Sequence, residues 1–528
     1  MQENWALSSV FMFMDIRGCQ DSNGDGLGDL PGLISRLDHF QEVGIGALVF
    51  AGLQPSDFSY VGTMMKEFSD VDSRYGSLAD FDRLIREARD RDIAVLLGWS
   101  PYSTHPDHPC FQASRDPNSP DHAELRDFYV WTEDINARQP RGSGHWQWDP
   151  VRREYYHTIW YAADHRWCPQ MNPMSPRVRK ENEKVIRFWL DRGADGFWVD
   201  VGVGGSFFSW EDHTAFSREM TSLVHSYPRK WIISEGNKSV PDTIRDGYDS
   251  FLNNWARAPD TEKTAFRAPG KGRFTDFFEG LETQGIHEAL LAFYDEPKGN
   301  QVMNFFRLNR TVDFDDPEDL ARLKLQFLIH GTLPVIPLFS FPHHCGFRKS
   351  KPRQFVTPYP FLMMWDNSPN YGFTTGMPCV KQNLEGYPAR ATVEAQLRDE
   401  GSPLSAFKAI MTLRRETPAL QCHGPVLETY AMVPSSDDND CLAYLRRHPE
   451  SGQCALVVVN LSSDPATYTL HFQRSARLMK LLAGRRRFEK KLGSGPPQWR
   501  IPQNGDMEAA LPACGYTLLV SHERPPGE

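Results

Sequence analysis

Residues 21–29 read Asp21-Ser22-Asn23-Gly24-Asp25-Gly26-Leu27-Gly28-Asp29, the most informative stretch of this 528-residue chain. Oxygen-bearing side chains alternate with glycines, as a tight loop around a hard divalent cation requires. The predicted ligands are the side-chain oxygens of Asp21, Asn23, Asp25 and Asp29 and the backbone carbonyl of Leu27. The spacing is close to that of an EF-hand loop without its final glutamate. The sequence therefore predicts a structural Ca²⁺, or Mg²⁺, with a metal-free Asx/Gly turn as the alternative.

Composition limits the classes of function. The formal net charge of −10 argues against a general nucleic-acid or anionic-membrane binder, and 40% hydrophobic residues suffice for a large core. The N-terminus lacks the pattern of a signal peptide, so we expect a cytoplasmic protein. Nine cysteines without CxxC pairs indicate reduced thiols rather than disulfides or a zinc site. No dinucleotide or phosphate-binding fingerprint is present, so no organic cofactor is expected.

Outward from the opening loop, short apolar runs alternate with amphipathic stretches. Residues 47–50 and 93–97 are typical of buried strands, and residues 81–91 and 177–192 of helices. This alternation predicts an α/β fold, either a parallel barrel or a doubly wound sheet. Later apolar runs end at Asp200 and Glu235, positions that would lie at the carboxyl end of the strands, where catalytic groups are expected.

Two regions depart from the alternation. Between about residues 99 and 174 the chain is rich in Pro, His, Trp and Asp and is too long for a simple loop, which predicts an inserted subdomain. After a helical stretch at 403–415, short alternating runs such as 454–460 and 516–520 predict a small antiparallel sandwich.

Several motifs carry a family resemblance. The opening loop continues through residues 30–38, and further matches lie at 72–81, 193–197 and 365–373. Together they resemble the α-amylase superfamily, glycoside hydrolase family 13, in its oligo-1,6-glucosidase and trehalose-synthase-like branch. The resemblance implies a (β/α)8 TIM barrel with an inserted domain B and a C-terminal antiparallel β-sandwich. The expected limits are barrel 1–101, domain B 102–174, barrel 175–420 and domain C 421–528.

The resemblance also implies a pair of catalytic carboxylates. Asp200 stands where similar family members carry their nucleophile, and Glu235 stands where they carry the general acid. Retaining glycosidases need two such carboxylates on either side of the scissile bond. The alternative for each is an ordinary solvated acid at a strand end.

The rest of the expected site departs from the family pattern. The arginine two residues before the nucleophile is Trp198, and the His and Asp of an Asn-His-Asp motif become Arg310 and Thr311. The Tyr and Asp of the early motif become Thr63 and Met64. After the third strand the expected Asp and Asn-His pair become Gly98, Tyr102 and Ser103. These changes predict a more apolar substrate pocket with one added cation.

Two hypotheses follow. In the first, which we favour because both carboxylates persist, the protein is a glycosidase, transglycosidase or isomerase-like enzyme. Its small-molecule substrate would carry an apolar or anionic part and would not be a simple α-glucoside. In the second, it is a catalytically silent relative that serves as a binding or assembly scaffold. The adjacent His343 and His344 do not predict a zinc site, because neighbouring residues rarely face one ion.

Overall fold

The fold is taken from a computed structural model of the chain. It describes residues 5–57, 64–140, 144–161, 166–200, 209–235, 246–253, 302–306, 312–347, 361–379, 387–423, 426–437 and 440–521. The predicted site residues Thr63, Arg310 and Thr311 lie outside these ranges.

The strands and helices of the described residues are as follows. The strands, in chain order, are β1 (Phe11–Met14), β2 (Ala47–Phe50), β3 (Ala94–Trp99), β4 (Trp131–Thr132), β5 (Trp146–Asp149), β6 (Glu154–Tyr161), β7 (Trp167–Pro169), β8 (Gly196–Val199), β9 (Trp231–Glu235), β10 (Ser250–Asn253), β11 (Val302–Phe306), β12 (Ile336–Ser340), β13 (Tyr430–Met432), β14 (Cys441–Arg447), β15 (Cys454–Asn460), β16 (Ala466–His471), β17 (Arg487–Gly493), β18 (Gln498–Arg500), β19 (Asp506–Leu511) and β20 (Tyr516–Ser521). The α-helices are Trp5–Ser8, Leu30–Ile34, Leu37–Glu42, Leu78–Arg89, Pro109–Arg115, His122–Leu125, Pro176–Asp191, Trp210–His225, Pro317–Thr332, Val393–Arg398, Pro403–Glu416, Val426–Thr429 and Ala476–Leu482. Short 3₁₀ helices span Ile16–Gly18, His343–Cys345, Pro369–Gly372, Ala389–Ala391, Pro418–Leu420 and Phe472–Arg474.

Eight parallel strands close into a barrel in the order β1-β12-β11-β10-β9-β8-β3-β2. The ring closes where β1 pairs with β12, so the first and last strands of the barrel are neighbours. The predicted α/β barrel is therefore confirmed, and the doubly wound sheet, which would be open, is not the fold. The strands predicted at 47–50 and 93–97 correspond to β2 and β3.

Barrel side chains alternate between two apolar clusters. Residues such as Val49, Leu96 and Ile233 pack inside the lumen, whereas their neighbours Leu48 and Val95 belong to the cluster that packs against the helices. Because successive side chains of a strand point to opposite faces, every second residue of each strand faces the lumen. This parity fixes which strand-end residues face the barrel axis.

The helices around the barrel match the sequence-based expectation closely. The stretch predicted at 81–91 forms Leu78–Arg89, which begins earlier because Ser77 and Asp80 form a capping box. Buried Phe81, Leu84 and Ile85 lie on its inner face. None of the helices in the described ranges has both the length and the apolar composition needed to cross a bilayer.

The insertion between β3 and β8 contains the short strands β4 to β7, paired antiparallel around β6. These strands fall within the predicted domain B of residues 102–174, whose limits stay a prediction. The C-terminal region forms a six-stranded antiparallel sheet and a two-stranded sheet, β16 with β19. Side chains from both sheets share one apolar core, for example Val458 and Leu470. The predicted antiparallel C-terminal domain is thus confirmed.

Candidate functional site

Asp200 and Glu235 lie at the same level on neighbouring strands. Within β8 and β9, Trp198 pairs with Ile233 and Val199 pairs with Ser234. Asp200 directly follows Val199, and Glu235 directly follows Ser234. The Asp200 N–H donates to the Trp99 carbonyl oxygen at 3.0 Å, which continues the β3–β8 ladder to this residue. The backbone therefore places the two predicted catalytic residues side by side at the ends of neighbouring strands.

Both carboxylates follow the lumen-facing side of their strands. Trp198 and Ile233 belong to the lumen cluster, and Asp200 and Glu235 lie two residues beyond them. By the alternation of a strand, they face the barrel axis at its carboxyl end. Asp200 is only 2% exposed, whereas Glu235 is partly exposed. Glu235 is therefore more open to solvent than Asp200.

An apolar layer lies one step below the carboxylates. The indole ring of Trp198 is 3% exposed and meets the ring of Phe13 from β1 across the lumen, with centroids 5.1 Å apart. An arginine at this position would place a cation beside the nucleophile and hold it ionised. A tryptophan gives packing and no charge. Trp198 therefore packs below Asp200 without placing a charge beside it.

The other described pocket positions are also closed to solvent. Met64 is fully buried and packs against Cys168 of β7. Ser103 is fully buried, and its hydroxyl lies 3.3 Å from the Ser100 hydroxyl. Met64 and Ser103 are therefore part of the internal packing of the described residues. The proposed apolar character of the pocket is consistent with this packing.

Polar residues that the sequence analysis did not single out surround the same end of the barrel. His105 is fully buried between two carboxylates, with Nε2 3.6 Å from Asp57 and Nδ1 3.5 Å from Asp107. Arg166 donates two hydrogen bonds of 2.7 Å to Asp107 and lowers the pKa of that carboxyl to about 2, although burial opposes the shift. His105 and Asp107 lie in one loop after β3, but Asp57 and Arg166 come from two other segments, so no single local motif links the four residues.

The predicted metal loop is held by hydrogen bonds within itself. The Asp21 carboxylate accepts the N–H groups of Asn23 at 3.0 Å, Gly24 at 2.8 Å and Gly26 at 2.7 Å. It also accepts the Thr374 hydroxyl at 2.5 Å. Gly26 has φ +91, and a Cβ there would lie 2.1 Å from the Met377 carbonyl oxygen, so only glycine fits this turn.

The remaining predicted ligands differ in exposure. Asp29 is buried and accepts the Gly32 N–H at 2.7 Å and the Ser22 hydroxyl at 2.8 Å, so it caps the following helix. Asn23 and Asp25 are exposed, and each accepts one N–H two residues ahead. Within the described ranges, the oxygens of the three aspartates do not gather within 4.8 Å of one another. The donors are the hard oxygens that Ca²⁺ prefers, but the loop is closed by its own hydrogen bonds.

Much of the chain is similar in sequence to known proteins. Residues 17–232 match the family model for the α-amylase catalytic domain. The chain is 26% identical over 434 residues to Alpha-amylase 3 of Dictyoglomus thermophilum, covering 79% of each protein. It is 31% identical over 208 residues to the oligo-1,6-glucosidase of Parageobacillus thermoglucosidasius, covering 38% of this chain and 36% of that protein. Relatives at 30–35% identity are matched over less than half of their own length.

A solved structure extends the likeness to the whole chain. The trehalulose synthase from Pseudomonas mesoacidophila MX-45 superposes with a TM-score of 0.75, at 22% identity, covering 99% of this chain and 100% of that one. At this identity the likeness establishes the shared fold. It leaves the chemistry of the site to be argued from this chain's own residues.

Proposed function

We propose that this chain, whose residues 17–232 match the α-amylase catalytic-domain model, acts on a glycosidic bond through Asp200 and Glu235. The observation that carries the proposal is their placement at the same level of two neighbouring barrel strands, facing the lumen. Neighbouring strands are about 4.8 Å apart. That spacing suits the separation of about 5 to 5.5 Å between the two carboxyl groups of retaining glycosidases.

The roles follow from this chemistry. Asp200 attacks the anomeric carbon, and Glu235 protonates the oxygen of the departing group, giving a glycosyl-enzyme intermediate. Glu235 then removes a proton from the incoming water or hydroxyl group, which attacks the same carbon and releases Asp200. With water the reaction is hydrolysis, and with a sugar hydroxyl it is transglycosylation or isomerisation. The partial exposure of Glu235 suits the residue that exchanges protons with the incoming group.

The substrate class is proposed from the packing below and beside the carboxylates. Met64 and Trp198 are buried apolar side chains near the carboxylates, and the buried Ser103 hydroxyl lies against Ser100. A polar sugar face without partners would be costly to bury. We therefore propose a glycoside with an apolar or anionic part rather than a simple α-glucoside. Arg310, outside the described residues, is the predicted cation for an anionic part.

A second candidate function is a catalytically silent scaffold. The observation in its favour is that Asp200 is only 2% exposed, with Trp198 packed beneath it. A nucleophile must reach the anomeric carbon, so a carboxylate that stays closed off from the cavity would do no chemistry.

Turnover separates the two candidates. Wild type would be tested on maltose, trehalose, sucrose, isomaltose and a set of aryl α-glycosides with apolar or anionic aglycones. Asp200→Asn and Glu235→Gln would be compared with Glu211→Gln, an exposed helix position that serves as the matched control. We expect activity on the aryl substrates, retained in the control and reduced by at least about 10³-fold in both site variants. Absence of turnover by wild type on the whole panel would favour the scaffold.

We also propose that the loop at residues 21–29 binds a structural Ca²⁺, with Mg²⁺ as the competing ion. Hard oxygen donors support the proposal, and binding would require exposed Asn23 and Asp25 to exchange their internal hydrogen bonds for the ion. Calcium titration calorimetry on EDTA-treated protein tests it, with Asp25→Asn as the variant. A melting temperature and a heat of mixing unaffected by Ca²⁺ would refute the site.

A reducing, cytoplasmic location is proposed from the cysteines. All nine are free thiols, and most of them are buried. Chains that fold in oxidising compartments commonly pair their cysteines. Fractionation of the native host would test this proposal, and recovery of the protein outside the cytoplasm would refute it.

A further inference from the structure

Three metal-ligand side chains converge in a buried position remote from Asp200 and Glu235 along the chain. His39 lies on the helix Leu37–Glu42, and His344 and Cys345 lie in the 3₁₀ turn that follows β12. The two Nε2 atoms are 3.3 Å apart, and the Cys345 Sγ is 3.3 Å from the His344 Nε2. The ligand atoms of these three described residues all lie within 4.8 Å of one another.

We propose that His39, His344 and Cys345 form a binding site for a thiophilic transition-metal ion, Zn²⁺ or Cu⁺. Metal–nitrogen bonds of about 2.0 to 2.1 Å in a tetrahedral site hold two nitrogen ligands about 3.3 to 3.4 Å apart. The observed Nε2–Nε2 distance of 3.3 Å equals that edge. The imidazole and thiolate donors are those that Zn²⁺ and Cu⁺ prefer, whereas Ca²⁺ prefers oxygen.

A hydrogen bond between His39 and His344 explains the short Nε2–Nε2 distance less well than a shared metal ion does. Two neutral imidazoles that meet through Nε2 must adopt opposite tautomers, one donating and one accepting. The Nδ1 atoms of His39 and His344 are buried and have no hydrogen-bond partner among the described residues. Nothing on the far side of either ring therefore fixes a tautomer, and both Nε2 atoms can present a lone pair to one ion. Because metal-bound histidines usually have a partner at the other nitrogen, we expect only moderate affinity.

Aromatic side chains pack against both histidine rings. The His39 ring meets Trp365 edge-on at 5.1 Å, and the His344 ring lies 5.6 Å from Phe407. Burial, with the charges of Arg36 and Lys408, lowers the pKa of His39 to about 3, so its imidazole is neutral and able to bind a metal. Burial raises the pKa of the Cys345 thiol, so binding at pH 7 releases the thiol proton.

Charge distinguishes the two ions. One thiolate with Cu⁺ makes a neutral complex, whereas one thiolate with Zn²⁺ leaves a net positive charge in an apolar environment close to Arg36. We therefore expect Cu⁺ to bind more tightly, with Zn²⁺ as the second ion. The site would join the first barrel helices to the turn after the last strand, residues 305 positions apart, next to the β1–β12 closure. Its role would be structural and independent of the glycoside chemistry proposed above.

The test uses the full chain, stripped with a chelator and kept in a reducing buffer. Zn²⁺ and Cu⁺ are titrated separately, Cu⁺ in the presence of bicinchoninate, and bound metal is counted by mass spectrometry. Co²⁺ serves as a spectroscopic probe, because a thiolate ligand gives a charge-transfer band. The background carries Cys379→Ser, which removes the exposed cysteine. The variants are Cys345→Ser, close to wild type in size, and His344→Gln, with the adjacent His343→Gln as the matched control.

We expect one ion per chain and a Co²⁺ charge-transfer band in the parent and in His343→Gln. Both should be lost in Cys345→Ser, and binding should be at least about tenfold weaker in His344→Gln. The melting temperature should rise by roughly 2 °C at an ion concentration about 100 times Kd. Failure of the parent to bind either ion stoichiometrically would overturn the proposal. A charge-transfer band that persists in correctly folded Cys345→Ser would also overturn it.

Discussion

The indole ring of Trp198 meets the phenyl ring of Phe13 edge-on inside the barrel, with centroids 5.1 Å and planes 88° apart. The contact joins β8 to β1 across the lumen, directly below the level of Asp200. The two rings form an apolar floor below Asp200, at the position where the family resemblance leads us to expect an arginine.

Replacing Trp198 by alanine should be severely destabilising. The ring is 3% exposed and packs in the lumen cluster, so its removal leaves a cavity that the rigid barrel cannot close. We expect a loss of about 3–5 kcal/mol in the free energy of unfolding, measured by chemical denaturation. Trp148→Ala, at a tryptophan that is 45% exposed, is the control and should cost clearly less. Equal losses would mean that Trp198 does not fill the lumen.

Stability should fall as the solution is acidified below pH 6.5, in part because of His108. Burial, with the nearby His105, lowers the pKa of His108 to about 4. An unfolded histidine has a pKa of about 6.5, so at pH 5 the unfolded chain binds more protons and is favoured. The contribution of this residue is a loss of about 2 kcal/mol between pH 7 and pH 5.

His108→Asn tests this prediction. The His108 Nδ1 accepts the Cys110 N–H at 3.1 Å and caps the helix Pro109–Arg115, a role that asparagine also performs. The variant should keep the cap and show a smaller drop in unfolding free energy between pH 7 and pH 5. A pH dependence identical to that of wild type would contradict the assignment.

Asp21→Asn should destabilise the protein even when a chelator is present. Its carboxylate accepts three N–H groups and the Thr374 hydroxyl, and an amide in its place would turn a donor toward these donors. We expect a loss of about 2–4 kcal/mol. Asp25→Asn, exposed and accepting one N–H, should cost less than about 1 kcal/mol in chelator. A large effect of Asp25→Asn that appears only with Ca²⁺ would support the ion.

Arg446→Met should weaken the junction between the barrel and the C-terminal sheet. The buried guanidinium on β14 donates to the carbonyl oxygens of Thr332 at 2.6 Å and Gln421 at 2.7 Å. Removing the guanidinium leaves these two carbonyl oxygens without their donor. It also removes the cost of burying a charge. That cost is visible in the pKa of Arg446, which burial lowers to about 10. We expect a net loss of about 2 kcal/mol. Arg500→Met, on an exposed strand position, should have almost no effect in the same thermal and chemical melts.

Much of the architecture could be predicted from sequence periodicity and motifs. The runs at 47–50 and 231–235 are strands, the stretches at 177–192 and 403–415 are helices, and the family resemblance is confirmed by the match over residues 17–232. These features depend on local patterns of apolar residues, which any fold of the chain must bury. Asp200 and Glu235 could be singled out because each ends such a run.

The arrangement inside the barrel could not be predicted in the same way. The family resemblance leads us to expect an arginine where the sequence has Trp198, but only the β1–β8 geometry shows that Phe13 lies across from it. The His343-His344 pair gave no indication of a metal site, because the partner of His344 is His39, which is 305 positions away in the sequence. The contacts of Arg446 likewise depend on how the C-terminal sheet packs on the barrel.

The amino-acid order alone therefore predicted the strand and helix pattern, the family resemblance and the two candidate carboxylates, because these depend on short-range periodicity and local motifs. The tertiary structure decided which side chains meet: Trp198 with Phe13, His105 with Asp57, and His39 with His344 and Cys345. These contacts join residues far apart in the chain, and closing the barrel is what brings them within a few ångströms. Burial in the folded chain also lowers the pKa of His39 to about 3, so its imidazole is neutral at pH 7.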